Sequence, residues 1–396
     1  MVRLQRGPSK RTHLMAAIVR NDLERIKWLL ARGAPLELVD CDGWTALTFA
    51  AASDFASAVK ILLEAGSNKE AIDIIGNSPI VYACHCGSVD VIAMLLSAGV
   101  DKDAANGGSP MLAACRAGRV EVIRLLIAAG ACVTCTTPDT ATTAVGMASQ
   151  EGHVDVIRAS LEAGACVNTP NESGATPFFL ACANKRVETV RFLLSVGADI
   201  DAPAEHGLTP ICVASALGHV DVVRLLLMSG ANKYATDIDG MLPVYMASRF
   251  GQIDVVFALL EGETGTNTGA LCTFFASRYG HVALVRALIE SGEDSDMSAG
   301  GITSLFAAAR FGHAEIVQVL LDAGAEKDTV AANDGSRPIF TACEGGYVEI
   351  VRLLLAAGAD VNVSMHDGTT PLSIALGLGH AEIVAALLAA GAVDTR

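Results

Sequence analysis

Thr209 to Asn232 read TPICVASALGHVDVVRLLLMSGAN, and this stretch decides the fold. Thr209 is placed to cap a helix, its hydroxyl accepting from a first-turn N–H, and Pro210 fits the first helical position, where no N–H is needed. Ile211, Val213 and Ala214 give that helix a short apolar face. Gly218 stops it, because the left-handed conformation needed there carries no penalty in glycine. His219 opens a second helix whose Asp221 lies near the positive end of the dipole, with Arg224 three residues on. Val222, Val223, Leu225, Leu226 and Leu227 are the expected buried face, and Gly230 ends the helix. Two short helices cannot bury that face alone, so neighbouring copies must cover it.

The same pattern recurs about twelve times, as repeat signatures are counted. The residues that end the first helix of each copy are Asn21, Asp54, Gly87, Gly118, Gly152, Lys185, Gly218, Gly251, Gly280, Gly312, Gly346 and Gly379. They fall 31 to 34 residues apart, except for 29 between Gly251 and Gly280. Asn21 and Asp54 tolerate a left-handed backbone, whereas Lys185 should be strained there. These units resemble the ankyrin repeat, on Gly207, Thr209-Pro210, Ala214, Gly218-His219, Leu225 to Leu227 and Gly230-Ala231. The resemblance implies an all-α solenoid of helix-turn-helix units with short hairpin loops. It also implies a protein-binding scaffold that engages partners with its concave face and hairpin tips. One family feature is missing. The histidine that usually follows Thr-Pro-Leu is replaced by Met15, Thr48, Val81, Leu112, Gly146, Phe179, Cys212, Tyr245, Phe274, Phe306, Phe340 and Ser373. Loop rigidity is therefore in question, most of all around Gly146.

Outward from this unit, the chain of 396 residues divides into a basic arm, 1–11, and one continuous array, 12–396. The arm carries Arg3, Arg6, Lys10 and Arg11 and lacks the apolar core of a secretory leader. Residues 261–269 lack the Gly-Ala-Asp hairpin signature found at Gly197 to Asp199, so a shortened finger or a local kink is expected. Trp28, in place of the usual leucine, is expected to pack inward. There is no apolar run of the roughly 20 residues that a membrane span needs. The net charge of −15 argues against nucleic-acid backbone binding.

Catalytic chemistry is not indicated. His153, His219, His281, His313 and His380 share one repeat position after the helix-ending glycine, which points to capping and packing between repeats. No nucleophile stands beside a base, and no phosphate-loop lysine accompanies the glycines of 262–269. Cys84, Cys115, Cys182 and Cys343 occupy one small core position, as free thiols of a reducing compartment would. Cys132 and Cys135, with Cys166 one repeat later, lack a fourth ligand for zinc, so no metal or cofactor is expected. The sequence thus leads to a non-catalytic cytoplasmic scaffold or adaptor, with the nucleus as the other compartment, no small-molecule substrate and no cofactor. The alternative is a regulatory subunit that senses redox state through Cys132 and Cys135.

The candidate binding residues come from the variable positions. Three successive repeats place Arg249-Phe250, Arg278-Tyr279 and Arg310-Phe311 before the helix-ending glycine. Leu217 precedes them, and Leu208, Met241 and Ile302 stand at tip positions. Arginines and aromatics are enriched at binding hot spots. They also form stabilising ladders, and the two roles are compatible. The expected partner is a protein or an extended peptide with acidic and hydrophobic residues.

Overall fold

In the computed structural model, the described residues are 11–104, 108–262, 267–294, 296, 301–331 and 334–393. The first ten residues of the basic arm and residues 263–266 of the irregular finger lie outside them. The described residues form 24 α-helices and no β-strand; an isolated bridge pairs Thr136 with Thr143. The chain divides into two compact units, Met1–Glu205 and His206–Arg396.

Each unit is a stack of six helix pairs. In the second unit the pairs are Pro210–Ala216 with Val220–Met228, Pro243–Arg249 with Ile253–Leu260, and Asn267–Tyr279 with Val282–Glu290. Ser304–Phe311 with Ala314–Asp322, Pro338–Glu344 with Val348–Ala356, and Pro371–Leu378 with Ala381–Ala389 complete it. First helices pack on first helices of the next pair, and second on second. The buried stripe of a second helix is narrower than its apolar run. Val222, Val223 and Leu226 are fully buried, while Leu225 and Leu227 are half-buried.

The twelve helix-ending positions all have positive φ, including Asn21 (51°), Asp54 (57°) and Lys185 (56°). Threonine caps form at Thr12, Thr45, Thr143, Thr176, Thr303 and Thr370, each accepting from the backbone N–H three residues on. Thr209 departs from this pattern. Its hydroxyl donates to the Cys212 thiol at 3.2 Å, and no side-chain cap forms. The hydroxyl is turned toward the thiol rather than toward a first-turn N–H.

Trp28 also departs from expectation. It is 41% exposed, with the Arg25 and Arg32 guanidinium carbons 4.3 and 3.9 Å from its ring centroid. Two cations against the ring suit an outer position for an indole. The loop before Gly146 is closed without the family histidine. Thr140 bonds both Thr137 and Thr142 at 2.8 Å, and the Thr142 N–H donates to the Thr137 hydroxyl at 3.0 Å.

The irregular repeat resolves at one end. The helix Asn267–Tyr279 is 13 residues long, against seven or eight for the other first helices of this unit. Thr268 and Gly269, expected in a finger, are helical. The Glu293 carboxylate packs against Gly269, where a Cβ would lie 2.0 Å from its Oε2 and would force that side chain to move.

Candidate functional site

The site residues ride on the C-terminal ends of three first helices. Arg249 closes Pro243–Arg249, Tyr279 closes Asn267–Tyr279 and Phe311 closes Ser304–Phe311. Because these helices pack side by side, their ends form a row. The Arg249 guanidinium carbon is 5.7 Å from the Phe250 ring centroid and 5.2 Å from that of Tyr279. The Arg278 carbon is 5.8 Å from Tyr279 and 5.3 Å from Phe311. The order is therefore aromatic, cation, aromatic, cation, aromatic. Every member is exposed; the rings keep 51% (Phe250), 38% (Tyr279) and 44% (Phe311) of their surface in solvent.

Arg310 extends the row without joining the stack; Gly345 stands at the position of the next ring. Glu344 holds the equivalent of the arginine position in that repeat and is exposed. At the other end Leu217 occupies the ring position and is 50% exposed.

The helix ends are fixed from behind by the following repeat. The Nε2 of His281 donates to the Arg249 carbonyl at 2.7 Å, and that of His313 to the Arg278 carbonyl at 3.2 Å. Each imidazole also lies over the preceding helix-ending glycine. A Cβ on Gly251 would lie 2.6 Å from His281, and one on Gly280 2.8 Å from His313. Other residue types do the same work elsewhere. Arg119 donates to the His85 carbonyl, Arg186 to Gln150 and Gln252 to Ala216. The histidines thus satisfy last-turn carbonyls that a helix leaves orphaned.

The tip residues do not join this row. Leu208, Met241 and Ile302 precede the N-termini of their helices and are half-buried. A seven-residue helix separates them from the arginines by about 10 Å. The sequence reading treated the two sets as one surface; the structure puts them at opposite ends of the first helices.

One exposed group was missed. Ile72, Ile74 and Ile75 sit on the finger before Pro79 and are 50%, 72% and 63% exposed. The signal was available. The equivalent tip pairs Cys41-Asp42, Glu172-Ser173, Ile238-Asp239 and His366-Asp367 each contain an acid, and Ile74-Ile75 does not.

The thiols divide by burial. Cys84, Cys115, Cys182 and Cys343 are fully buried, which pushes each thiol up, to about 12 for Cys343. Cys272 is likewise pushed up to about 12 by burial. Cys132 is exposed, but burial also raises Cys135. The Asn168 backbone N–H, then the Thr169 hydroxyl, hold Cys166 below the usual range. Among the described residues, one group of metal-ligand type comes together, at Asp40, Cys41 and Asp42. It is a turn: Asp40 Oδ1 accepts from the backbone N–H groups of Asp42 and Trp44 at 3.0 and 2.9 Å.

A family model described as ankyrin repeats (3 copies) matches residues 2–73, 68–137, 111–204, 145–237, 201–271, 244–331 and 328–396. The chain belongs to the ankyrin-repeat family. Ankyrin repeats are protein-interaction modules and in general non-catalytic. Among curated proteins none matches the chain. No helix among the described residues is long and apolar enough to cross a membrane.

Proposed function

We propose that this ankyrin-repeat protein is a non-catalytic scaffold or adaptor that binds an extended acidic and hydrophobic segment of another protein along Arg249, Arg278 and Arg310. The observation that carries this reading is the exposed stack Phe250–Arg249–Tyr279–Arg278–Phe311. Rings flank both stacked guanidinium groups, so less side-chain entropy is lost when a carboxylate docks on them. Three successive arginines give a locally positive row on a chain of net charge −15. The acidic remainder disfavours nucleic acid, and the wealth of free thiols supports the cytoplasm or nucleus.

The test is affinity. A partner captured with the intact protein is titrated against the variant R249A/R278A/R310A, with circular dichroism confirming the fold. The reading expects binding to weaken by roughly 2–4 kcal/mol, about 1 kcal/mol or more per hot-spot residue. Unchanged affinity in the folded variant would remove the site. A redox-sensing role is less well supported, since Cys135 is pushed up rather than activated.

A further inference from the structure

The stack has a period, and a period selects ligands. The Arg249 and Arg278 carbons lie 5.2 and 5.8 Å from the same Tyr279 centroid, so they are no more than about 11 Å apart. Packed neighbouring helices set the spacing at about 8–10 Å. A β-strand with acids at alternate positions repeats every 6.6–6.8 Å or so, and falls out of step after one rung. A polyproline II segment rises about 3.1 Å per residue with three residues per turn. Its residues i, i+3 and i+6 lie on one face, about 9.3 Å apart.

The rings fit the same period. Phe250, Tyr279 and Phe311 alternate with the cations, so a ring lies under the chain between successive acids and meets the flanks of the residues there. Proline-rich segments dock on aromatic rungs of this kind.

We propose that the partner segment carries an acidic residue at every third position over three turns of polyproline II, with proline or another apolar residue between, and no acid at a fourth step. This rests on the reading of the row as the binding surface, and it adds the register. The fourth step is set by Glu344, which follows Arg249, Arg278 and Arg310 in the same repeat position and repels a further carboxylate.

The probes are synthetic peptides titrated against the full chain at low salt. One repeats Glu-Pro-Pro three times. The second has the same composition with its three glutamates adjacent. The third repeats Glu-Pro-Pro four times. The first is expected to bind about tenfold more tightly than the second, the worth of roughly one additional charge-assisted contact. The fourth glutamate should add nothing on the native chain and should tighten binding on Glu344→Lys, a change that adds a rung rather than removing one. Equal binding of the first two peptides, both lost in R249A/R278A/R310A, would overturn the register while leaving the surface in place. No binding of any peptide at millimolar concentration, or binding indifferent to the arginines, would overturn the acidic ligand. A natural partner that still depends on the arginines would then keep the surface as the site. If the triple variant loses its fold, Glu344→Lys and Arg310→Ala, whose guanidinium is outside the stack, decide the same questions.

Discussion

Replacing Lys185 by glycine should stabilise the protein, and the magnitude follows from its backbone. Lys185 ends the helix Pro177–Ala183 with φ +56°, and its side chain is exposed, so the change removes little packing. A left-handed L-residue costs about 1–2 kcal/mol. Glycine escapes that cost but loses more backbone entropy on folding, about 0.5–1 kcal/mol. The difference leaves a gain of about 0.5–1 kcal/mol. A stack of repeats opens locally, so the gain is best read near the substitution. Hydrogen exchange in Pro177–Ala183 and Val187–Ser195 should slow about two- to fivefold. The reverse change isolates the same term. Gly379 has φ +75°, and nothing lies within 4 Å of where its Cβ would sit. Gly379→Lys should therefore lose a similar amount through conformation alone, speeding exchange in Ala381–Ala389. If Lys185→Gly gains nothing and Gly379→Lys costs nothing, the left-handed penalty is not what distinguishes these positions.

The stack makes its own stability prediction. Arg278→Ala removes two exposed ring contacts and should cost about 1–2 kcal/mol, whereas Arg310→Ala, outside the stack, should stay within about 0.5 kcal/mol; equal losses in denaturant titrations would dissolve the distinction. The thiols predict alkaline lability. Burial raises Cys84, Cys115, Cys182, Cys272 and Cys343 above the ordinary value of 9.0, so above that pH the unfolded chain binds fewer protons than the folded one. Stability is then full below about pH 9 and falls as pH rises, by about 1.4 kcal/mol per unit for each thiol ionised only when unfolded. A flat melting temperature from pH 8.5 to 10.5 would contradict this. Below pH 8, Cys166 should react faster with a disulfide reagent than the buried five, which should react only on unfolding.

The fold was legible because its decisive residues are local. A helix end in the left-handed region asks for glycine, and the spacing of such residues gave twelve ends, all with positive φ. Side-chain partners across repeats were less legible. Trp28 was read by its apolar body, but it is partly exposed and packs against the Arg25 and Arg32 guanidinium groups. Thr209 was read by its type, but its hydroxyl turns to the Cys212 thiol and accepts no backbone N–H. The arginine–aromatic pairs were visible as a pattern. Their interleaving was not, because it depends on how far one helix end lies from the next.

That interleaving also chooses between the two candidate rows. The step from Gly251 to Gly280 is shorter than the others, and a deletion must be absorbed somewhere in the repeat. Here it is absorbed at the finger end, where Asn267–Tyr279 begins early and takes over the residues that would have led into the helix. The consequences for the two ends are opposite. Ten residues before each helix-ending glycine stand Leu208, Met241, Ala270 and Ile302. Ala270 is 1% exposed inside the long helix, so the position equivalent to Leu208, Met241 and Ile302 offers no surface in that repeat. The C-terminal ends stay in register across the same deletion, with Arg249 still 5.2 Å from Tyr279. Among the described residues, the tip positions present no exposed side chain at Ala270 between Met241 and Ile302, while the helix ends present cation and ring alternately from Phe250 to Phe311. An extended segment gains from each further repeat only while the surface beneath it is continuous. Continuity is why the arginine row, and not the tips, is where such a segment should lie.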